Sequence, residues 1–337
     1  MLKKNENVLQ NLLYADDMAI SSDALALFTK QSEGHMGKWE YGPSLYEDDP
    51  AGGEDLWSEM VRKPGHYYVT KADIALIKWA VRQIQVKDAF SHIETLVELG
   101  PGSEEIVLQK TIPFIKSIKT LKSYVALDIS KGFAEKTAKL ATKGLDIKSK
   151  GISHDFSKPF LKASKGNTAF IVLGSTISNL ECKAGENPFH CLTNLFQNFH
   201  SGMASEDVFV TTFDMGKGAD KVLRAYSGVS AKKHGINLIH RLKRDGVVSG
   251  GFDPNAWKYE PVWIPQTSQC CHTVYPVMDQ ILRVQGFEIR VPAYSRYVTN
   301  NSYKYTPECV TWAARTAGFN DCQIVLHGNM AMLIARA

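Results

Sequence analysis

Between Thr95 and Asp214 short apolar runs alternate with amphipathic stretches. That alternation limits the fold more than anything else in the 337 residues. The runs "TLVEL" (95–99), "SYVALD" (123–128), a weaker one near 147–153, "AFIVLG" (169–174) and "DVFVTTFD" (207–214) have the length and bounding of strands. Helical patterns separate them: "EEIVLQKTIPFIKSI" (104–118, with a break at Pro113), "KGFAEKTAKLA" (131–141) and "PFHCLTNLFQNFH" (188–200). Such spacing predicts an α/β domain whose mostly parallel sheet carries helices on both faces. Upstream, Ile74, Ile77, Val81 and Ile84 recur at helical spacing over 71–87. After Asp214 the pattern stops, and 215–303 mixes short strand-like pieces with loops and aromatic residues. A helix over 307–317 and the strand pair "CQIVLH" and "MAMLIAR" restore it. The expected organisation is a core of 71–214 plus 304–337, with 1–70 plus 215–303 as a substrate-binding cap over the sheet's carboxyl edge.

Composition narrows the partners. A net charge of +4, from 39 basic and 35 acidic residues, is too small for a nucleic-acid or membrane-binding face, so a small-molecule ligand is expected. No run of eighteen apolar residues exists, and the N-terminal stretch holds no apolar segment of signal-peptide length. None of the six cysteines has zinc-ribbon or redox-motif spacing. Cys270, Cys271 and His272 are adjacent, and neighbouring side chains on a strand point apart, so no metal is expected. A reducing cytoplasm is the default location. Oligomeric state is not legible in the chain.

The first strand–loop–helix reads "LVELGPGSEEIVL". Gly100, Gly102 and Ser103 follow the strand, where glycines admit a ligand close to the backbone and a helix start offers free N–H groups. A dinucleotide fingerprint needs a third glycine where this chain has Glu105, which argues against an NAD-dependent dehydrogenase. Glu98, Asp128 and Asp155 stand at three successive strand ends. Any one of them alone could simply cap a turn or helix start. Together they suit S-adenosylmethionine (SAM), whose ribose hydroxyls and adenine amino group want acceptors. Asp128 is placed for the ribose, Asp155 for the adenine amine, and Phe156 for the ring.

The fourth strand leaves through "GSTISN", with Gly174 at the exit and Asn179 five residues on. This stretch, with "ELGPGSEE", "ALDIS", "HDF", "GHYYVTKAD", "LRAYSG" and "NSYKYTPE", resembles the SAM-dependent Nα-methyltransferases of the ergothioneine pathway. Fungal enzymes that N-methylate tryptophan derivatives belong to the same family. The resemblance implies a Rossmann-like class I methyltransferase sheet with an inserted cap and an EC 2.1.1 activity. It implies that Asn179 grips the substrate's α-amino and carboxylate ends with Tyr67 and Tyr226, while Tyr68 packs. It places Tyr46 and Ser302 beside the substrate too. An asparagine amide both donates and accepts, so the chemistry fits; the alternative is a helix cap.

One departure matters. Histidine-specific members carry a glutamate two residues before the serine, and here that position is Asn300. A neutral amide accepts less strongly than a carboxylate from an imidazole N–H. The "SYKY" stretch is closer to the tryptophan-derivative branch. The reading is therefore N-methylation of an amino acid with an aromatic side chain, tryptophan-like or histidine. Alternatives are methylation of another small amine, or a catalytically silent SAM-binding protein. No dedicated base stands out, so orientation of the neutral amine is expected to carry catalysis.

Overall fold

In the computed structural model, residues 19–41, 53–62, 67–129, 131–155, 167–179, 181–183, 186–216 and 218–337 are described. Five parallel strands come first: β1 (Thr95–Leu99), β2 (Ser123–Asp128), β3 (Lys148–Ser153), β4 (Thr168–Val172) and β5 (Val208–Asp214). The chain then builds a separate antiparallel sheet from β6 (Trp257–Ile264), β7 (Gln269–Pro276) and β8 (Tyr297–Tyr303). It returns after the helix Pro307–Thr316 as the hairpin β9 (Asn320–His327) and β10 (Met330–Arg336).

The seven-stranded order is β9-β10-β5-β4-β1-β2-β3, with β10 antiparallel to β5. This is the Rossmann-like class I methyltransferase arrangement that the strand spacing and the resemblance led us to expect. Because β4 returns to the other side of β1, the sheet reverses its winding between those strands, and a crevice opens at their carboxyl ends. Side chains alternate between two cores. Val208, Val210, Met330 and Met332 face one with Leu76 and Phe114, whereas Phe209, Phe213, Ala331 and Leu333 face the other with Phe196 and Phe319. β3 is the edge, and its Lys148 and Lys150 are exposed, which discourages strand addition there.

Local differences from the sequence reading have physical causes. The stretch 104–117 stays helical through Pro113, but Val107–Thr111 widens into a π-turn that accommodates a residue without an N–H. The helix expected over 71–87 is two, Val69–Ala80 and Ile84–Ala89. Residues 215–303 are not only strands and loops: Ala219–Tyr226 and Val229–Arg244 are helices. The latter buries Ala231, His234, Gly235 and Asn237 beside Leu238, Ile239 and Leu242, so small and polar residues mask its hydrophobic period. Cys182 and Cys191 form a disulfide that their spacing did not announce.

A third core joins the N-terminal segment to the inserted region: Ile20, Leu27, Phe28, Met36 and Trp39 pack with Leu238, Trp257, Val274 and Tyr297. Within that segment, residues 32–41 lie across the molecule as a strap. Ser32–Glu33 pairs with Cys182–Lys183. The Gly34 N–H donates to Val298 O and the Met36 N–H to Thr299 O, each at 2.9 Å, along β8. Two glycines permit this approach. Gly34 has φ +75°, and a Cβ on Gly37 would meet the Asn300 side chain at 2.6 Å. Gly37→Ala is expected to loosen the strap and cost about 1–3 kcal/mol, as overpacking does; a urea denaturation midpoint unchanged from the parent would contradict this.

Candidate active site

The carboxyl ends of β1, β2 and β4 open into a cavity of about 580 Å³, within the usual range for small-molecule sites. Its floor is polar backbone. Gly100, Gly102 and Gly174 have φ of +68°, +75° and +83°, and Ser175 follows at +62°. Such left-handed turns point peptide groups inward, and at the glycines leave no Cβ in the way. Asp128, the last residue of β2, and Asp155 both line the cavity. Buried hydroxyls of Ser175 and Ser178 also line it and have no hydrogen-bond partner among the described residues. Open glycine turns, two carboxylates and two unsatisfied hydroxyls fit SAM, which presents an amino-acid head, ribose hydroxyls and an adenine amine.

Two sequence-selected residues sit elsewhere. Glu98 is 1% exposed; Tyr124 Oη donates to it at 2.7 Å and Thr111 Oγ1 at 3.0 Å, and it does not line the cavity. Its partners make it a buried brace beneath the glycine loop, with burial raising its pKa against those hydrogen bonds. Ser103 precedes the short helix Glu104–Ile106 and is likewise buried outside the lining. Phe156 and Tyr46 lie outside the described residues.

The opposite wall carries a hydrogen-bond chain. Tyr259 Oη is 2.6 Å from His272 Nδ1, His272 Nε2 is 3.0 Å from Ser302 Oγ, and Ser302 donates to Asn179 Oδ1 at 3.3 Å. Burial lowers the His272 pKa to about 3, with Lys304 and His234 adding to the effect, so the imidazole is neutral. One consistent assignment runs from Tyr259 O–H through Nε2–H to the serine and the asparagine. Asn179 lines the cavity, and with Oδ1 accepting from Ser302 its amide N–H groups are the donors it has to offer a ligand. Tyr67 and Tyr226 lie edge to face at 5.6 Å, and Tyr226 meets His272 at 4.7 Å. Desolvation raises both tyrosine pKa values, so both remain O–H donors at neutral pH.

Behind them sits a charge pair that the sequence reading passed over. Asp214, ending β5, is fully buried and accepts from Lys304 Nζ at 2.9 Å, Tyr68 Oη at 2.6 Å and the Gly216 N–H at 2.9 Å. Lys304 lines the cavity and reaches Tyr226 Oη at 3.4 Å. Tyr68, expected only to pack, is thus part of this network. A signal for Lys304 existed: Asn300, Ser302 and Lys304 alternate, so they share one strand face.

Asn300 does not stand alone. Its Nδ2 donates at 3.0 Å to Oε2 of Glu40, which the strap's 3₁₀ turn Gly37–Tyr41 delivers. A register shift in the β7–β8 pairing brings Thr299 to the same carboxyl at 3.4 Å. His234 Nε2 lies 3.8 Å from Glu40 Oε2. Burial pushes Glu40 up to about 8, against the two hydrogen bonds, and pulls His234 down to about 4. The pair is therefore a carboxylic acid beside a neutral imidazole. Neither residue was legible as a site residue, because nothing in "GKWEYG" or "AKKHGIN" marks burial. Among the described residues there is no grouping of His, Cys, Asp and Glu that could hold a metal and no helix long and apolar enough to cross a membrane.

Two expectations follow from these charges. Removing the carboxylate in Asp214→Ala leaves Lys304 buried and unpaired, which should cost about 3–5 kcal/mol in a denaturation titration. The folded pKa values of His234 and His272 lie below the unfolded value of 6.5. Their contribution is complete above pH 6.5 and is lost as pH falls through 6.5 towards 4, at up to about 1.4 kcal/mol per unit for each histidine. His234→Gln should make that acid limb shallower; an unchanged slope would count against the neutral assignment.

Residues 41–333 match the profile of a family described as histidine-specific, SAM-dependent methyltransferases. A protein of Sinorhizobium fredii (strain NBRC 101917 / NGR234), y4iF, itself described as uncharacterized, is 25% identical over 229 residues, spanning 67% of this chain and 74% of that protein. Solved structures align at low identity. A SAM-dependent methyltransferase from Clostridium acetobutylicum ATCC 824 is 11% identical with a TM-score of 0.41, covering 83% of this chain and 96% of its own. The sugar N-methyltransferase KedS8 from Streptoalloteichus sp ATCC 53650 is 11% identical with a TM-score of 0.42, covering 88% and 96%.

Proposed function

Because the chain belongs to the family of histidine-specific, SAM-dependent methyltransferases, we propose that it methylates the α-amino group of an amino acid with an aromatic side chain, tryptophan-like or histidine. The protein is a SAM-dependent methyltransferase, and its family acts on a small molecule. One observation carries the finer reading: Asn179, Ser302, Tyr226 and Tyr67 line the same cavity as the glycine turns and Asp128, with Ser302 bonded to Asn179 and the two tyrosine rings in contact.

When bound, SAM supplies an electrophilic methyl group on a sulfonium. The chain supplies position. Asp128 and Asp155 are acceptors for ribose and adenine, and the turns at Gly100, Gly102 and Gly174 receive the amino-acid head. Across the cavity the Asn179 amide and the tyrosine hydroxyls donate to the substrate carboxylate, because the tyrosines hold their protons. The amine has to be neutral to react, and a free α-amino group is largely protonated near pH 7. The residues that face it are donors or neutral groups, and the proton leaves to water. Catalysis then rests on holding amine and methyl in line at about 3 Å.

A cytoplasmic location belongs to the same reading. There the Cys182–Cys191 disulfide would be reduced.

Incubation with SAM and the twenty amino acids, followed by mass spectrometry, tests the proposal. We expect one to three methyl additions on the α-nitrogen of an aromatic amino acid. Asn179→Ala should lower kcat/KM by about 10- to 100-fold, the worth of hydrogen bonds to a charged group. Tight SAM binding without transfer to any α-amine would overturn it.

A further inference from the structure

The buried carboxyl group of Glu40 has no function in gripping an α-amino acid head, yet it lines the same cavity. A carboxyl 2% exposed is costly to keep unless something uses it. Its surroundings are built for it. Asn300 and Thr299 donate to its two oxygens, and His234 stands 3.8 Å away. A carboxylic acid keeps a carbonyl oxygen with two acceptor lone pairs, and only one described hydrogen bond reaches each oxygen, so capacity remains for a further donor. The strap glycine Gly37 and the strand irregularity at Thr299 both bring Glu40 to this spot, from more than 250 residues away in the chain.

Position decides what that donor is. Asn300 and Ser302 are successive residues on one face of β8, in regular register with His272 and Cys270, and so about 7 Å apart along the strand. Ser302 contacts Asn179 at the amino-acid grip, and Asn300 holds Glu40. The spacing between grip and carboxyl suits a ring joined to the α-carbon through one methylene. Trp57, His234, Tyr259 and Ala231 line the same cavity, with the Trp57 and His234 rings 5.7 Å apart. A Cβ on Gly235 would collide with the Tyr259 ring, so the helix Val229–Arg244 and β6 are already at closest approach.

We infer that Glu40, positioned by Asn300, is the specificity-determining residue: it accepts a hydrogen bond from the ring N–H of the substrate side chain. The substrate class is thereby narrowed to α-amino acids with an N–H heteroaromatic ring, imidazole or indole, and benzenoid rings are disfavoured. This rests on the α-amino reading above. Polar groups left unpaired by an analogue that lacks the N–H are the source of the discrimination.

The test compares ring-N–H substrates with partners lacking that hydrogen: tryptophan with 1-methyltryptophan and 3-benzothienylalanine, and histidine with its ring-N-methyl isomers. Full-length protein is measured twice, by calorimetric binding in the presence of S-adenosylhomocysteine and by methyl transfer from SAM. For tryptophan or histidine the parent protein should favour the N–H ring by about 10- to 100-fold in Kd and in KM, with kcat much less affected. In Glu40→Leu and Glu40→Ala, which remove the acceptor, that ratio should fall towards one, while S-adenosylhomocysteine still binds. Equal treatment of paired substrates by the parent protein would overturn the inference even if neither variant folded. A preference retained in a folded Glu40→Ala would do the same. Preferential binding of N–H rings without transfer would uphold Glu40 and sink the α-amino methylation; no binding of any amino acid would sink both.

Discussion

The buried contact between Asp214 and Lys304 holds the two halves of the site together. Asp214 ends the strand next to β4 in the central sheet, and Lys304 follows the last strand of the antiparallel sheet. Neither charge is tolerable alone in so dry a place, which makes the pairing a condition of folding and not an ornament. The same carboxylate takes the Tyr68 hydroxyl and the Gly216 N–H, so it also ties down the chain just before the helix Val69–Ala80 and the exit of β5. Tyr67 and Tyr226 owe their places to this knot. One is the neighbour of Tyr68, and the other lies 3.4 Å from the lysine.

From that knot the division of labour follows. The carboxyl edge of the parallel sheet offers peptide groups, carboxylates and small hydroxyls, as suits a cofactor rich in polar edges. The antiparallel sheet and the strap offer neutral hydrogen-bonding groups enclosed by aromatic rings. His272, His234, Tyr67 and Tyr226 are held neutral by burial. Lys304 lines the cavity on this side as well, and its pairing with Asp214 offsets its charge beside a sulfonium.

The parts of the molecule that could be read early share one property: their signal is local. The runs at 95–99, 123–128, 169–174 and 207–214 are strands because apolar and β-branched residues dominate each and turn residues flank it. Gly100, Gly102, Asp128 and Gly174 follow at strand ends and line the cavity. Glu98 obeyed the same local rule and yet lies under the loop, because Tyr124 on β2 and Thr111 on the next helix claim it. The helix Val229–Arg244 was invisible for the converse reason: its buried face includes Gly235, His234 and Asn237, chosen by what they touch and not by hydrophobicity.

Sequence by itself determined the class of fold and which strand-end residues line the cavity, since periodicity and strand-end chemistry act over a few residues. Asn179, Tyr67 and Tyr226 were marked by the resemblance, and they line the same cavity. Only the tertiary structure decided which carboxylates line the cavity and which brace the loop beneath it. It also decided that Asn300, a neutral residue where a carboxylate was sought, brings one in from the strap. Burial made that difference. Whether Glu40 is a solvated charge or a buried acid depends on β8, on two strap glycines and on a helix almost two hundred residues away, and no window of sequence holds them all.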